Sequence, residues 1–136
     1  MLERHLGGGG FGEVWLAHQA RFRLRRAVKF CKTLKDRDRD LLHEGAVITR
    51  LISQGNHPNV VPLLDADLDG EVPWLMFEYV EGFDLADMIR HWTKLPATER
   101  QQKAVTALQV LAKAVGRFHR LKPAIIHRDL KPANIL

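Results

Sequence analysis

Apolar positions change their period twice along this chain. Residues 13–17 alternate, with Val14 and Leu16 on one side and Glu13 and Trp15 on the other, which predicts a β-strand. The arginine-rich stretch Arg21, Arg23, Arg25 and Arg26 then reads as a turn between strands, and Ala27-Val28-Lys29-Phe30-Cys31 as a second short strand. Over residues 37–54 the period becomes helical: Leu41, Leu42, Val47, Ile48, Leu51 and Ile52 recur at helical spacing, and Gly55 with Pro58 closes the helix. Residues 60–64 and 74–79 predict two further strands on either side of the turn Asp67-Leu68-Asp69-Gly70.

Past Gly82 the pattern is helical. Asp84 suits the N-cap of a short helix reaching about His91. A longer helix is predicted over residues 98–120, with Val105, Leu108, Leu111, Val115 and Phe118 on its apolar face and Glu99–Lys103 as a favourable i,i+4 pair. Strands first and helices second predict an α+β chain in two parts, residues 1–80 and 81–136, with a hinge near Glu81-Gly82.

Composition narrows the functional classes. The 136 residues are 46% hydrophobic and 27% charged, an ordinary globular balance. No apolar run approaches the ~18 residues of a membrane span, and Met1-Leu2-Glu3-Arg4 lacks the layout of a secretory signal. The single cysteine, Cys31, excludes an internal disulfide and fits a reducing cytoplasm; a buried apolar role is expected for it. The net charge of +5 raises nucleic acid as a partner, but the basic residues are spread out. Only Phe22 interleaves the arginine run, which reads as a solvated loop, so no nucleic-acid partner and no membrane segment are expected. His5, His18, His43, His91 and His119 show no metal-ligand spacing, and Trp15, Trp74 and Trp92 are expected to pack.

Three stretches carry chemistry. Gly7-Gly8-Gly9-Gly10-Phe11-Gly12-Glu13-Val14 fits G-x-G-x-x-G-x-V, where glycines let backbone approach phosphates or take positive φ. The same spacing in a dinucleotide-binding fold opens a helix, whereas here a strand follows, as in a glycine-rich hairpin over a nucleotide. Lys29 lies within an apolar strand, where a charge requires a partner or an anion; the alternative is an edge lysine facing water. Glu44, the one glutamate of the predicted 37–54 helix, is the candidate partner, the alternative being an exposed helical acid. Finally, His127-Arg128-Asp129-Leu130-Lys131-Pro132-Ala133-Asn134 contains H-R-D-x-K-x-x-N. Asp129 can orient or deprotonate a hydroxyl, the Asn134 amide oxygen is a hard ligand for Mg²⁺, and Lys131 can offset developing phosphoryl charge.

With these residues the whole chain resembles the protein kinase family, and most of all bacterial serine/threonine kinases. The resemblance implies a kinase-like α+β fold: a mostly antiparallel β N-lobe with one regulatory helix, then the start of a helical C-lobe. It implies that Gly7, Gly8, Gly9, Gly10, Phe11 and Gly12 cover the phosphates of ATP, and that Leu6, Val14 and Ala27 line the adenine pocket. Lys29 would hold the α- and β-phosphates, paired with Glu44; Phe77 would be the gatekeeper; Glu78-Tyr79-Val80 would be the hinge that reads adenine. His57-Pro58-Asn59 resembles the family's turn after the regulatory helix, and the interval from Glu44 to it is about one helical turn longer than usual. Asp84 would meet the ribose, Asp129 would be the catalytic base, Lys131 the phosphate-contacting lysine that marks serine/threonine kinases, and Asn134 a magnesium ligand. Arg128 would either pair with a phosphorylated activation loop or brace the catalytic loop.

By the same resemblance the cofactors are ATP and Mg²⁺, and the partner is a protein with a serine or threonine acceptor. The family's D-F-G segment, activation loop and A-P-E segment do not occur within these residues. The expectation is therefore a kinase piece with little or no activity on its own. The alternative is a truncated, non-catalytic module that binds a nucleotide or a partner.

Overall fold

The computed structural model describes residues 1–9, 12–19, 23–31 and 58–136. The helix expected over residues 37–54, with Glu44, lies outside the described residues, as do Gly10, Phe11 and His57. The described chain divides into two compact units, Met1–Tyr79 and Val80–Leu136.

The first unit is a five-stranded antiparallel sheet in the order β1-β2-β3-β5-β4. Its strands are β1 (Leu2–Gly9), β2 (Gly12–Gln19), β3 (Leu24–Phe30), β4 (Leu63–Asp67) and β5 (Trp74–Glu78). β2 and β3 outrun the apolar alternation that predicted them. Alternation marks only the stretch where one face is covered, whereas ladder hydrogen bonds continue regardless of side chain, through Ala17↔Arg26 and His18↔Arg25. β4 begins three residues later than expected and runs into Asp65 and Asp67. It is an edge strand, where charged side chains reach water. Leu16, Val28 and Leu75 are buried in the sheet, and Cys31 just beyond β3 is buried as expected.

Register sorts the side chains by face, because directly opposed residues in an antiparallel pair point the same way. Val14↔Lys29 and Lys29↔Leu75 form one row; Leu16↔Ala27 and Ala27↔Phe77 form the next. The opposite face carries Trp15↔Val28↔Met76, with His5 edge-on to Trp15 at a centroid separation of 5.1 Å. Two register shifts interrupt β1, one between Leu2 and Arg4 and one between His5 and Gly7. Leu6 is therefore the extra residue of a bulge immediately before the glycine run, a device that re-aims a side chain and sharpens local twist.

The second unit contains α1 (Leu85–Trp92), α2 (Ala97–His119) and a single 3-10 turn (Pro132–Asn134). Asp84 is the N-cap of α1, its Oδ1 accepting a hydrogen bond from the Asp87 N–H at 2.8 Å. The Glu99–Lys103 pair is present on α2 at 3.8 Å. The expected apolar face of α2 holds in part, since Leu111, Val115 and Phe118 are half-buried. Val105 and Leu108 are 48% and 64% exposed, whereas Ala114 is buried and Ala104 and Ala107 are half-buried. Ala104, Ala107, Leu111, Ala114 and Phe118 recur at helical spacing, so the more sheltered stripe mixes alanines with larger apolar side chains. After α2 the chain folds back, the Ile125 N–H donating to the Phe118 carbonyl at 3.1 Å, and Ile125 is buried. An apolar groove of about 430 Å³ lies between α1, α2 and the 3-10 turn, with Ile89, Leu108, Leu130 and Ile135 among its lining. Among the described residues, no helix is long and apolar enough to cross a membrane.

Candidate active site

Each unit carries its own group of candidate site residues. In the first, β1 and β2 form the glycine hairpin, with Gly7↔Val14, Gly8↔Glu13 and Gly9↔Gly12 opposed across the ladder. Its glycines are not equivalent. Gly12 has φ 132°, and a Cβ there would lie 2.1 Å from the Phe30 carbonyl oxygen, so the fold itself demands glycine. A Cβ at Gly7 or Gly9 would meet nothing within 4 Å. Neither packing nor a positive φ accounts for those two glycines. Open space beside backbone is what an approaching ligand requires.

The face bearing Gly7 also carries Val14, Ala27, Lys29 and Phe77 by register. Five of the positions singled out from sequence are thus brought to one side of the sheet by strand pairing alone. Lys29 is half-buried between Val14 and Leu75, a setting that disfavours an unsatisfied ammonium and suits a cation directed at an anion. Leu6 stands at its bulge, 36% exposed. At the end of β5 the Glu78 N–H donates to the Pro62 carbonyl at 3.0 Å, which ties the first residue of the expected hinge to the segment leading into β4. Glu44, Gly10 and Phe11 lie outside the described residues. Val80 and Asp84 belong to the second unit, where Asp84 spends one carboxylate oxygen on its capping bond.

In the second unit, Asp129, Lys131 and Asn134 converge. The Lys131 Nζ donates to Asp129 Oδ2 at 2.9 Å. The Asn134 Nδ2 donates to the same Oδ2 at 3.0 Å and to the Asp129 carbonyl at 2.8 Å. Two backbone features produce the convergence. The Asp129 N–H donates to the His127 carbonyl at 2.9 Å across Arg128, whose φ is 62°. A side-chain-bearing residue in that region is strained, and such strain persists where surrounding structure over-determines it. The 3-10 turn that opens at Pro132 then carries Asn134 back towards Asp129, with the Asn134 N–H donating to the Lys131 carbonyl at 2.9 Å. The loop is tied to the rest of its unit by the Leu85 N–H, which donates to the Ile135 carbonyl at 2.8 Å.

The electrostatics follow from these contacts. The Lys131 ammonium, and secondly the Asn134 amide, hold the Asp129 carboxyl below the usual carboxylate range. Among the described residues both of these donors fall on Oδ2, and neither falls on Oδ1. The sequence pattern marked the three residues but did not reveal that Lys131 and Asn134 both grip Asp129 itself. The i, i+2 spacing of Asp129 and Lys131 and the proline that follows were the available signals for so tight a turn.

The same bonds test the fit for Mg²⁺. Because the Asn134 nitrogen is committed to Asp129, its amide oxygen is the atom it can offer a cation. Among the described residues no group of three or more His, Cys, Asp or Glu is arranged to hold a metal. A single hard amide oxygen fits Mg²⁺, which keeps waters and binds largely through substrate phosphates.

A sequence model of the protein kinase domain matches residues 1–136. The chain is 33% identical over 132 residues to serine/threonine-protein kinase pkn2 of Myxococcus xanthus, covering 97% of this chain and 15% of that protein. It is 29% identical over 133 residues to serine/threonine-protein kinase PrkC of Bacillus subtilis, covering 98% of this chain and 20% of that protein. With serine/threonine-protein kinase PknJ of Mycobacterium tuberculosis it shares 31% identity over 136 residues, 99% of this chain and 22% of that protein. The chain therefore spans between 15% and 22% of the length of these relatives.

Proposed function

The chain belongs to the protein kinase family, and from that premise we propose that the protein it represents transfers the γ-phosphoryl group of ATP to serine or threonine hydroxyls of other proteins. The observation that carries this reading is the grip of Lys131 and Asn134 on one oxygen of Asp129, with neither donor on the other. A carboxylate of depressed pKa is a weak base at neutral pH. Asp129 therefore acts first by orienting the hydroxyl through Oδ1, and accepts its proton as the bond to phosphorus forms. Lys131 keeps a positive charge beside the transferring group.

Lys29 and the open backbone at Gly7 and Gly9 hold the phosphates, while Val14, Ala27 and Phe77 present an apolar wall to the base. Leu6, Glu78 and Val80 complete the adenine contacts, and the second carboxylate oxygen of Asp84 meets the ribose. Asn134 would hold Mg²⁺, which supplies charge neutralisation on the phosphates when bound. A reducing cytoplasm is the compartment we assign, on the strength of the lone buried Cys31.

The test is transfer of labelled phosphate from ATP to a generic serine/threonine substrate by the full-length protein. Asp129→Asn is expected to lower the rate by about a hundredfold to ten-thousandfold while ATP binding is retained. Wild-type protein that binds ATP yet transfers no phosphate would identify a nucleotide-binding module instead.

A further inference from the structure

We propose that Arg25 is a positioning residue for nucleotide binding, acting through the Tyr79 ring to fix the start of the expected hinge. The proposal rests on the nucleotide-binding reading above. The face that carries Val14 and Gly7 is crossed by two paired rows of β3 and β5, Lys29↔Leu75 and Ala27↔Phe77. Along β3 the same alternation brings Arg25 to that face, and Tyr79 follows directly after the end of β5. The Arg25 guanidinium carbon stands 5.2 Å from the Tyr79 ring centroid. Planar guanidinium stacks on an aromatic face through both charge and shape.

The contact lies where backbone pairing stops. The β3–β5 ladder ends at Arg26↔Glu78, and the Glu78 N–H is taken by the Pro62 carbonyl. Tyr79 is the next residue, beyond the last ladder pair and at the end of the first unit. Side-chain stacking there extends the hold of the sheet one residue into the segment expected to meet adenine. It also gives part of the arginine-rich stretch a task other than solvation. Strand alternation turns Arg26 to the face opposite Arg25.

Calorimetric titration of the full-length protein with ATP tests the proposal, alongside melting temperatures and, where phosphate transfer is measured, KM for ATP and kcat. Arg25→Ala and Tyr79→Leu are each expected to weaken ATP binding about two- to five-fold, raising KM with kcat unchanged. The double variant is expected to bind no more weakly than either single one, and Arg25→Lys to fall between Arg25→Ala and wild type. Equal binding by wild type and Arg25→Ala overturns the proposal, as do losses that multiply in the double variant. A lowered melting temperature with binding intact assigns the contact to stability alone and overturns it equally. If Arg25→Ala does not fold, Arg25→Gln and Tyr79→Leu carry the same comparison. Failure of the wild type to bind ATP overturns the nucleotide reading itself, and this proposal with it.

Discussion

The glycine hairpin and the loop around Asp129 hold their candidate functional atoms in place by opposite means. In the hairpin, backbone does the work: ladder bonds between β1, β2 and β3 set where Gly7, Val14 and Lys29 stand, and two of the glycines contribute by having no side chain. In the loop there is no ladder. A strained residue at Arg128, one 3-10 turn and three side chains produce the geometry, and all three side chains are exposed. A site made by register spreads its determinants over many residues whose identities matter little. A site made by side-chain contacts concentrates them in a few residues and makes them responsive to pH and salt.

That contrast can be broken most sharply within the hairpin itself. Gly12→Ala is expected to destabilise the first unit by roughly 1–3 kcal/mol, because its Cβ would collide with the Phe30 carbonyl at a left-handed φ. Gly7→Ala, with open space around the new methyl, is expected to leave stability within about 0.5 kcal/mol while weakening ATP binding. Urea unfolding and nucleotide titration of both variants check the pair. Equal stability losses would mean that both glycines serve the fold.

In the second unit, Asp84→Ala removes the cap of α1 and is expected to cost about 1 kcal/mol, read as a lower urea midpoint. Asp84→Asn, which keeps the capping acceptor, is expected to lose little stability.

The loop's dependence on charge is tested by titration. The Asp129 carboxyl pKa is depressed in the folded state, so its contacts are fully present above the unfolded value of about 3.9 and are lost as pH falls through the lower folded value. Lys131→Ala removes the largest cause of that depression. It is expected to move the Asp129 carboxyl titration, followed by carbon NMR, upward in pH, and Asn134→Ala to move it upward by less. The smallest effect is expected at Glu99–Lys103, an exposed pair at 3.8 Å. Lys103→Ala is expected to change stability by no more than about 0.5 kcal/mol, and by less still in high salt.

The difference between the two regions also explains what was legible before the structure. The motif residues Asp129, Lys131 and Asn134 were marked by type and spacing, because few arrangements of those groups share one short loop. Their convergence on a single oxygen was not marked, since it depends on the φ of Arg128 and on how far the 3-10 turn carries Asn134 back. The helix capped by Asp84 was predicted nearly to its ends, because cap and apolar period are both local. β4 and the sheltered face of α2 were predicted only in part, because each depends on its surroundings: β4 on its edge position, α2 on neighbours that shelter Leu111, Val115 and Phe118 and leave Val105 and Leu108 exposed.

By itself, then, the sequence determined the family, the strands-then-helices order and the identities of the residues that carry the candidate chemistry. These are properties of residue type and local period, which no distant contact alters. Tertiary structure decided which glycine serves the fold and which leave open space, which sheet face gathers Val14, Ala27, Lys29 and Phe77, and which oxygen of Asp129 takes both donors. Each of these turns on an ångström-scale approach between residues distant along the chain or brought together by a tight turn. Pairing register and backbone torsion set such approaches, and neither is a property of any residue alone.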